Sequence, residues 1–190
     1  MRRKDDGLSV SLSNPATKEF QVCRTSLLPG ILKTMRQNRA LPVAKGVKLF
    51  EISDVVLRDE KNPIGAKNRR RIGALYTGPS AGFAVIHGLV DRILELVEVD
   101  PSPGYNACDP SRCILKGSRK QYEVVHGEDP TYLPGQCADI VVTTLPAPDS
   151  DEEPVSQIVG TFGILHPEVL KAFSLEYPCS MLEMDIECFL

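Results

Sequence analysis

The sequence predicts an α+β protein whose mainly antiparallel β-sheet is flanked by helices. Stretches rich in β-branched and aromatic residues follow one another along the chain, with only a few helical patterns between them. Fifteen prolines and fourteen glycines imply many turns, which argues against a purely helical bundle. With 190 residues, of which 42% are hydrophobic, the chain has enough apolar material to bury a core.

The first third of the chain begins with a polar stretch and continues into a helix. Residues 1 to 13 show no periodic pattern, which predicts a flexible lead-in. A helix is predicted over residues 26 to 39, where apolar residues recur at helical spacing. Ser26 can cap this helix, Pro29 falls in its first turn, and Pro42 ends it.

Two strands are predicted after this helix. Residues 46 to 58 are rich in β-branched and aromatic residues, and their imperfect alternation predicts a strand that is covered on both faces. A loop over residues 59 to 67 contains the turn residues Asn62, Pro63 and Gly65. Residues 69 to 77 are expected to return antiparallel to the first strand.

The second half begins with the clearest helix, over residues 83 to 98, which Pro101 and Pro103 close. Residues 146 to 154 are acidic and proline-rich, which favours a solvated hairpin insertion. The other predicted elements are shorter: strands over 120–126, 138–145, 155–165 and 180–189, and a helix over 167–174.

Charge and cysteine usage exclude several classes of protein. A net charge of −3 argues against a strongly basic nucleic-acid-binding surface. Of the six cysteines, only Cys108 and Cys113 are close in sequence, and no second pair completes a zinc-binding pattern. Cysteines scattered through apolar stretches are typical of a reducing compartment, and neither a signal peptide nor a membrane-spanning run is visible. We therefore expect a cytoplasmic protein without a membrane partner.

Two motifs could carry chemistry, and each has a simpler structural interpretation. His87 and Asp91 lie four positions apart, so the pair is either an oriented base or, as we favour, a hydrogen bond on the helix surface. The basic run at residues 67 to 71 could bind RNA phosphate. We favour the simpler interpretation that these residues are the solvent-exposed start of a strand. The residues by themselves therefore predict no recognisable active site.

Six segments, taken together and in order, carry a resemblance to a known family. They are NPATKEFQVCRTSLLPGIL at 14–32, LFEISDVV at 49–56, GAKNRRR at 65–71, GFAVIHGLVD at 82–91, LPGQCA at 133–138 and GILHPEVL at 163–170. In these segments the chain resembles the phenylalanyl-tRNA synthetase β subunit of the archaeal and eukaryotic cytosolic type. The likeness covers residues 12 to 190, with one departure at Ala84, where the family pattern leads us to expect an acidic residue.

The resemblance implies an α2β2 enzyme that joins phenylalanine to its tRNA using ATP. In that family the α subunit carries the class II synthetase active site, and the end of the β subunit repeats the fold as a degenerate copy. We therefore expect residues 14 to 190 to form a class II synthetase-like domain, truncated at its N-terminus. The family's β subunit is several times longer, so a fragment or a natural short product is expected.

The resemblance also implies that this copy has lost catalysis. Active class II sites carry Phe-Arg-x-Glu, whose arginine binds the α-phosphate of ATP, whereas this chain has Phe50-Glu51-Ile52-Ser53. Active sites also hold a second arginine near the C-terminus for the γ-phosphate, and no arginine follows Arg119 here. We therefore expect no catalytic, cofactor-binding or metal-binding residue in this chain, with ATP and Mg²⁺ confined to the complete enzyme.

The remaining motif residues are expected to have structural or interface roles. They are Arg24, Pro29, Gly30, Glu51 and His166. The function expected is a non-catalytic structural module that supports the α subunit and reaches tRNA through the complex. The alternative is a free-standing RNA- or ligand-binding domain derived from the synthetase.

Overall fold

The computed structural model describes residues 1–4, 6–105, 118–147 and 153–189, and the chain there forms a seven-stranded sheet with three α-helices. The strands lie in the order β1-β2-β7-β6-β5-β4-β3. Every neighbouring pair is antiparallel except β3 and β4. The predicted α+β class with a mainly antiparallel sheet is therefore confirmed. The elements are α1 (Leu28–Gln37), β1 (Val47–Arg58), β2 (Ala66–Thr77), α2 (Phe83–Leu96), β3 (Asp100–Pro101), β4 (Lys120–His126), β5 (Tyr132–Thr144), β6 (Val155–Leu165), α3 (Pro167–Ala172) and β7 (Cys179–Asp185).

Helices cover both faces of the sheet, so the chain has two apolar layers. Helix α2 packs on one face, here called the α2 face, through Ile86, Val90 and Leu94 against residues such as Phe162 and Leu182. Helices α1 and α3 pack on the opposite face, here called the α1 face. The residues buried there include Leu28, Ile31, Leu32, Tyr132, Leu165, Val169 and Met181. The alternation of side chains along each strand supplies both layers.

Close packing of α1 on the sheet depends on a glycine in β2. A Cβ atom built on Gly73 would lie 2.7 Å from Ile31 Cδ1 and 3.2 Å from Leu27 Cβ. Only a residue without a side chain fits this approach without displacing the helix or its side chains. The position of Gly73 therefore sets the distance between α1 and the sheet.

Several element boundaries differ from the predicted ones. Strand β5 begins at Tyr132 rather than at residue 138, because a bulge between Tyr132 and Cys137 accommodates Pro134 and Gly135. The final strand ends at Asp185 and continues as a short 3₁₀ turn rather than reaching residue 189. Pro101, predicted only to close a helix, also belongs to the short parallel strand β3.

The prediction that the first strand is covered on both faces is wrong. Strand β1 lies at the edge of the sheet, and its burial alternates along its first half. Phe50 and Ile52 are 75% and 54% exposed, while Val55 on the α1 face is fully buried. The alternation was imperfect because these two apolar residues face solvent beyond the end of the α2 layer.

Met1 and Leu8, near the N-terminus, make specific contacts with the rest of the domain. The carbonyl of Met1 accepts a hydrogen bond from Thr131 Oγ1 at 3.0 Å, and the carbonyl of Leu8 accepts one from the backbone N–H of Arg58 at 2.8 Å. Two predictions lie partly or wholly outside the described residues: the acidic insertion at 146 to 154 and the close pair Cys108 and Cys113. In the described parts of the chain, every helix is too short or too polar to span a bilayer.

Candidate functional site

A buried carboxylate lies at the centre of the α1 face. Glu183 is on β7, an interior strand of the sheet, and only 7% of it is exposed. Its Oε1 accepts a hydrogen bond from the backbone N–H of Leu27 at 2.7 Å, and its Oε2 accepts one from Ser26 Oγ at 2.9 Å. A negative charge beside the free N–H groups of a helix N-terminus is stabilising. Glu183 therefore holds the start of α1 against the sheet.

Ser26 takes part in this arrangement, although it is not the capping residue. The helix cap is Leu27, and Ser26 lies one position before it. Ser26 Oγ accepts a hydrogen bond from the backbone N–H of Leu28 at 3.2 Å while donating to Glu183. The predicted local cap is thus replaced by a side chain that is distant in sequence.

Two arginines lie on either side of the buried carboxylate. Arg71 Nη1 is 3.6 Å from Glu183 Oε1, and it also donates to the carbonyl of Thr25 at 3.1 Å. Arg3 Nη1 is 3.7 Å from Glu183 Oε2. A buried charge is tolerated when it is paired and hydrogen-bonded, and Glu183 meets both conditions.

Arg3 also forms a closer ion pair with Asp129. The shortest distance between the guanidinium and the carboxylate is 2.6 Å, and the backbone N–H of Thr131 donates to the same carboxylate at 2.8 Å. Burial would by itself raise the pKa of Asp129. The hydrogen bonds from Arg3 and Thr131 outweigh burial and hold that pKa below its ordinary value. The N-terminal segment is therefore attached to the sheet through a carboxylate that is ionised at neutral pH.

The structure places Arg24 beside Glu51, at the edge of the same face. Arg24 Nη1 lies 2.7 Å from Glu51 Oε1, and its Nε donates to the carbonyl of Asp54 at 3.0 Å. A third bond joins Arg24 Nη2 to Ser53 Oγ. Gly30, in the first turn of α1, is the next neighbour, because a Cβ atom there would lie 3.9 Å from Glu51 Oε2. Three of the five predicted site residues thus meet at this edge.

The other two predicted site residues shape the starts of helices. Pro29 lies in the first turn of α1, where the lack of an N–H group is tolerated. His166 caps α3: its Nδ1 accepts a hydrogen bond from the backbone N–H of Glu168 at 3.2 Å. His166 follows directly after β6, and neither β6 nor α3 carries Arg24 or Glu51. The structure does not bring it into their cluster.

A shallow cleft opens next to Glu183, over the part of the sheet that α1 does not cover. Its volume is about 230 Å³, and its lining includes Arg3, Arg71, Gly160, Thr161, Glu183 and Asp185. Polar groups that line this cleft already have partners within the chain: Arg71 lies 3.6 Å from Glu183, and Thr161 Oγ1 donates to Asp139 Oδ1 at 2.6 Å. The cleft therefore presents balanced charge rather than a cation that is free to bind phosphate.

The basic run at residues 67 to 71 is neutralised along its length. Each of its four cations lies close to a carboxylate. The pairs are Lys67–Asp59 at 2.9 Å, Arg69–Asp185 at 3.4 Å, Arg70–Asp54 at 2.7 Å and Arg71–Glu183 at 3.6 Å. These pairs weaken the case for RNA phosphate contact, since a polyanion would have to compete with the internal carboxylates.

His87 and Asp91 belong to a small polar cluster with two tyrosines. His87 Nε2 is 2.5 Å from Tyr105 Oη but 3.9 Å from Asp91 Oδ1, so the direct hydrogen bond that we favoured between the two residues is absent. Asp91 Oδ1 instead accepts from Tyr122 Oη at 3.0 Å and from Tyr105 Oη at 3.4 Å. Tyr105 thus bridges the two residues that the helical spacing had paired.

The structure gives Cys137, Cys179 and Cys188 a packing role rather than a reactive one. Burial raises the pKa of Cys137 to about 11, and it also raises the pKa values of Cys179 and Cys188. A thiol with a raised pKa is protonated at neutral pH and is a poor nucleophile. Among the described residues, no three His, Cys, Asp or Glu side chains are grouped so that they could hold a metal ion.

Sequence reasoning missed the central residue, Glu183, its partner Arg3 and the carboxylate of Asp129 that pairs with Arg3. One signal was visible: Glu183 is the single charged residue in an otherwise apolar run from Met181 to Met184. A lone charge in an apolar strand is rarely buried without a partner. Its partners could not be identified from sequence, because they lie far from it along the chain.

Comparison with known proteins shows the family to which the chain is similar. A family profile described as "Phenylalanyl tRNA synthetase beta chain CLM domain" matches residues 1–186. The chain is 42% identical to the phenylalanine–tRNA ligase β subunit of Homo sapiens over 96% of this chain and 26% of that protein. It is 40% identical to the cytoplasmic β subunit of Arabidopsis thaliana over its whole length and 29% of the relative. The β subunit of Saccharomyces cerevisiae is 36% identical over the whole chain and 30% of its own length.

The chain thus spans between a quarter and a third of the length of the relatives it matches. The family profile covers nearly every residue, including the segments that hold Arg24, Glu51 and Glu183. The chain therefore belongs to the family of the phenylalanyl-tRNA synthetase β chain CLM domain.

Proposed function

We propose that this chain is a non-catalytic structural module of a phenylalanine–tRNA ligase β subunit. Its role is to support the α subunit, which attaches phenylalanine to tRNA using ATP. The names of its relatives support this proposal, since they are β subunits of that ligase. The single observation that supports the absence of catalysis is that the arginines on the α1 face are paired with carboxylates of the same chain.

A synthetase active site needs cations that are free to bind the phosphates of ATP. Here Arg24 is paired with Glu51, and Arg3 and Arg71 lie beside Asp129 and Glu183. A phosphate group placed 4 Å from a carboxylate would be repelled by roughly 4 kcal/mol in a partly screened setting. The α1 face is therefore arranged to hold α1 in place rather than to stabilise a transferring phosphoryl group.

The proposed fold relationship is to the class II synthetases. We infer that residues 14 to 190 form a degenerate copy of that domain, and a mainly antiparallel sheet with helices on both faces supports this. ATP and Mg²⁺ would belong to the complete enzyme, and tRNA would reach this module through the complex. The cytoplasmic β subunit of Arabidopsis favours the cytoplasm as the working compartment.

The alternative is a free-standing RNA- or ligand-binding domain derived from the synthetase. The carboxylate partners of the basic run at 67 to 71 count against RNA binding there. The shallow cleft beside Glu183 is one of the clefts that the described residues offer to a small ligand.

Mixing the chain with a purified phenylalanine–tRNA ligase α subunit separates the two functions. Stable co-elution in size-exclusion chromatography supports the structural module. Failure to co-elute, together with tight binding of RNA or of phenylalanine, supports the alternative. ATP–pyrophosphate exchange by the chain alone in the presence of phenylalanine would contradict the non-catalytic assignment.

A further inference from the structure

Hydrogen-bonding and cationic groups from three parts of the chain converge on the carboxylate of Glu183. At the start of α1, the backbone N–H of Leu27 and the hydroxyl of Ser26 donate to it at 2.7 and 2.9 Å. The guanidinium groups of Arg71 and Arg3 lie 3.6 and 3.7 Å away. A helix N-terminus and arginines are the groups with which proteins bind free anions. The surroundings of Glu183 therefore have the composition of a carboxylate-binding site, which the chain fills with its own side chain.

The packing of α1 on the sheet helps to position these groups. Glu183 lies opposite Gly73 of the neighbouring strand β2. A Cβ atom on Gly73 would lie 3.2 Å from Leu27 Cβ, so the missing side chain lets the start of α1 come close to the sheet beside Glu183. Leu28 and Leu32 are fully buried and hold α1 on the sheet through apolar contacts. The site should therefore keep its shape when the carboxylate alone is removed.

The shallow cleft described above gives a small solute access to this site. The cleft has a volume of about 230 Å³, and Arg3, Arg71 and Glu183 all contribute to its lining. The carboxylate itself is 7% exposed, so it borders the cleft while remaining buried. A small anion that enters the cleft can therefore reach the same groups once the side chain of Glu183 has been shortened.

We propose that Glu183 is the internal ligand of a site for small monocarboxylates, which it keeps closed. In Glu183→Ala the chain loses one methylene group and the carboxylate, a fragment of the size of acetate. The helix N–H and the arginines then lack their anion, and leaving such groups unpaired in a buried place is costly. Acetate restores their partner, whereas the unchanged chain excludes acetate because its own carboxylate occupies the site. The contact is thus autoinhibitory toward anions on the α1 face.

Urea denaturation of Glu183→Ala in increasing sodium acetate tests this proposal, with sodium chloride keeping the ionic strength constant. A ligand that binds only the folded state multiplies the folding equilibrium constant by 1 + [L]/Kd, so acetate at ten times its Kd should raise that constant about tenfold. Neutral acetamide should have no such effect. In NMR spectra, acetate should move the backbone amide signal of Leu27 toward its position in the unchanged chain. If Glu183→Ala is unfolded in buffer, the same titration is followed as recovery of the circular dichroism signal.

Three variants control for general effects of the salt. Glu183→Gln keeps the site filled and should respond to acetate no more than the unchanged chain does. Glu51→Ala is the matched control at a more exposed pair: it deprives Arg24 of a carboxylate 2.7 Å away, but the side chain of Glu51 is 34% exposed and water can replace it. Adding Arg71→Ala to Glu183→Ala removes one cation of the site and should weaken acetate binding by about tenfold or more.

Three results would overturn the proposal. They are a Glu183→Ala protein, folded or unfolded in buffer, that acetate neither stabilises nor refolds; an equal effect of acetate on Glu51→Ala or on the unchanged chain; and an equal effect of acetamide on Glu183→Ala. The experiment needs no second protein. Its outcome is therefore independent of the α-subunit experiment that tests the proposed function.

Discussion

The carboxylate of Glu183 accepts a hydrogen bond from the backbone N–H of Leu27, which lies 156 positions earlier in the chain. One residue of the last strand thereby fixes the start of the first helix. Arg71 and Arg3 complete the arrangement from β2 and from the N-terminal segment. The buried charge thus joins four parts of the chain, and the chemistry of the α1 face is used to hold these parts together.

Removing this carboxylate should destabilise the whole domain. Glu183→Leu leaves Leu27 N–H without its acceptor and the neighbouring arginines without their central anion, so we expect the free energy of unfolding to fall by about 3 kcal/mol. Glu183→Gln keeps one acceptor oxygen and should cost less. Urea denaturation followed by circular dichroism measures both changes.

The matched control for these variants is Glu60→Gln. Its side chain is 82% exposed and makes a surface ion pair with Arg58 at 3.0 Å, so its replacement should change stability by less than about 1 kcal/mol. Equal losses for the buried and the exposed glutamate would show that Glu183 has no special structural role.

The Arg24–Glu51 pair should contribute far less to stability. Its side chains are 46% and 34% exposed, and partly solvated ion pairs typically couple by less than about 1 kcal/mol. A double-mutant cycle with Arg24→Ala and Glu51→Ala measures this coupling directly. A coupling energy above about 2 kcal/mol would mean that the pair acts as a buried one, contrary to its exposure.

The elements of this fold could be predicted because their signals are local. The periodicity of α2 and the β-branched run of β1 identified those elements to within a few residues. The environment of β1 was predicted wrongly, because an apolar residue such as Phe50 gives the same signal whether it is buried or exposed at a sheet edge. Only the strand order shows that β1 is the edge strand of the sheet in the described part of the chain.

The candidate site was harder to predict than the fold. Arg24 and Glu51 were singled out through the family resemblance, and their mutual distance of 2.7 Å was not accessible from a separation of 27 positions. The partners of Glu183 depend on the packing of α1 against Gly73 and on the path of residues 1 to 4. Ion pairs between distant segments leave no pattern in a single sequence.

Stability should fall in acid as the Asp129 carboxyl becomes protonated. The pKa of this group is lower in the folded protein than in the unfolded chain. Its contribution is therefore fully present above the unfolded value of about 4 and is lost as the pH falls through the lower, folded pKa. Urea denaturation at a series of pH values measures this loss. In Asp129→Asn the decline below about pH 4 should be shallower. An unchanged slope would assign the acid sensitivity to other carboxyl groups.

The close approach of α1 to Gly73 gives a prediction about packing. Gly73→Ala places a methyl group 2.7 Å from Ile31 Cδ1, and overpacking of this kind typically costs about 1–3 kcal/mol. Ile31→Val removes that methyl group and by itself should cost about 1 kcal/mol through the cavity it leaves. In the double variant the new methyl group occupies the vacated space, so the loss of stability should be smaller than the sum of the two single losses. Thermal and urea denaturation of the four proteins measures this coupling. Strict additivity would show that α1 moves away from the sheet rather than keeping its distance.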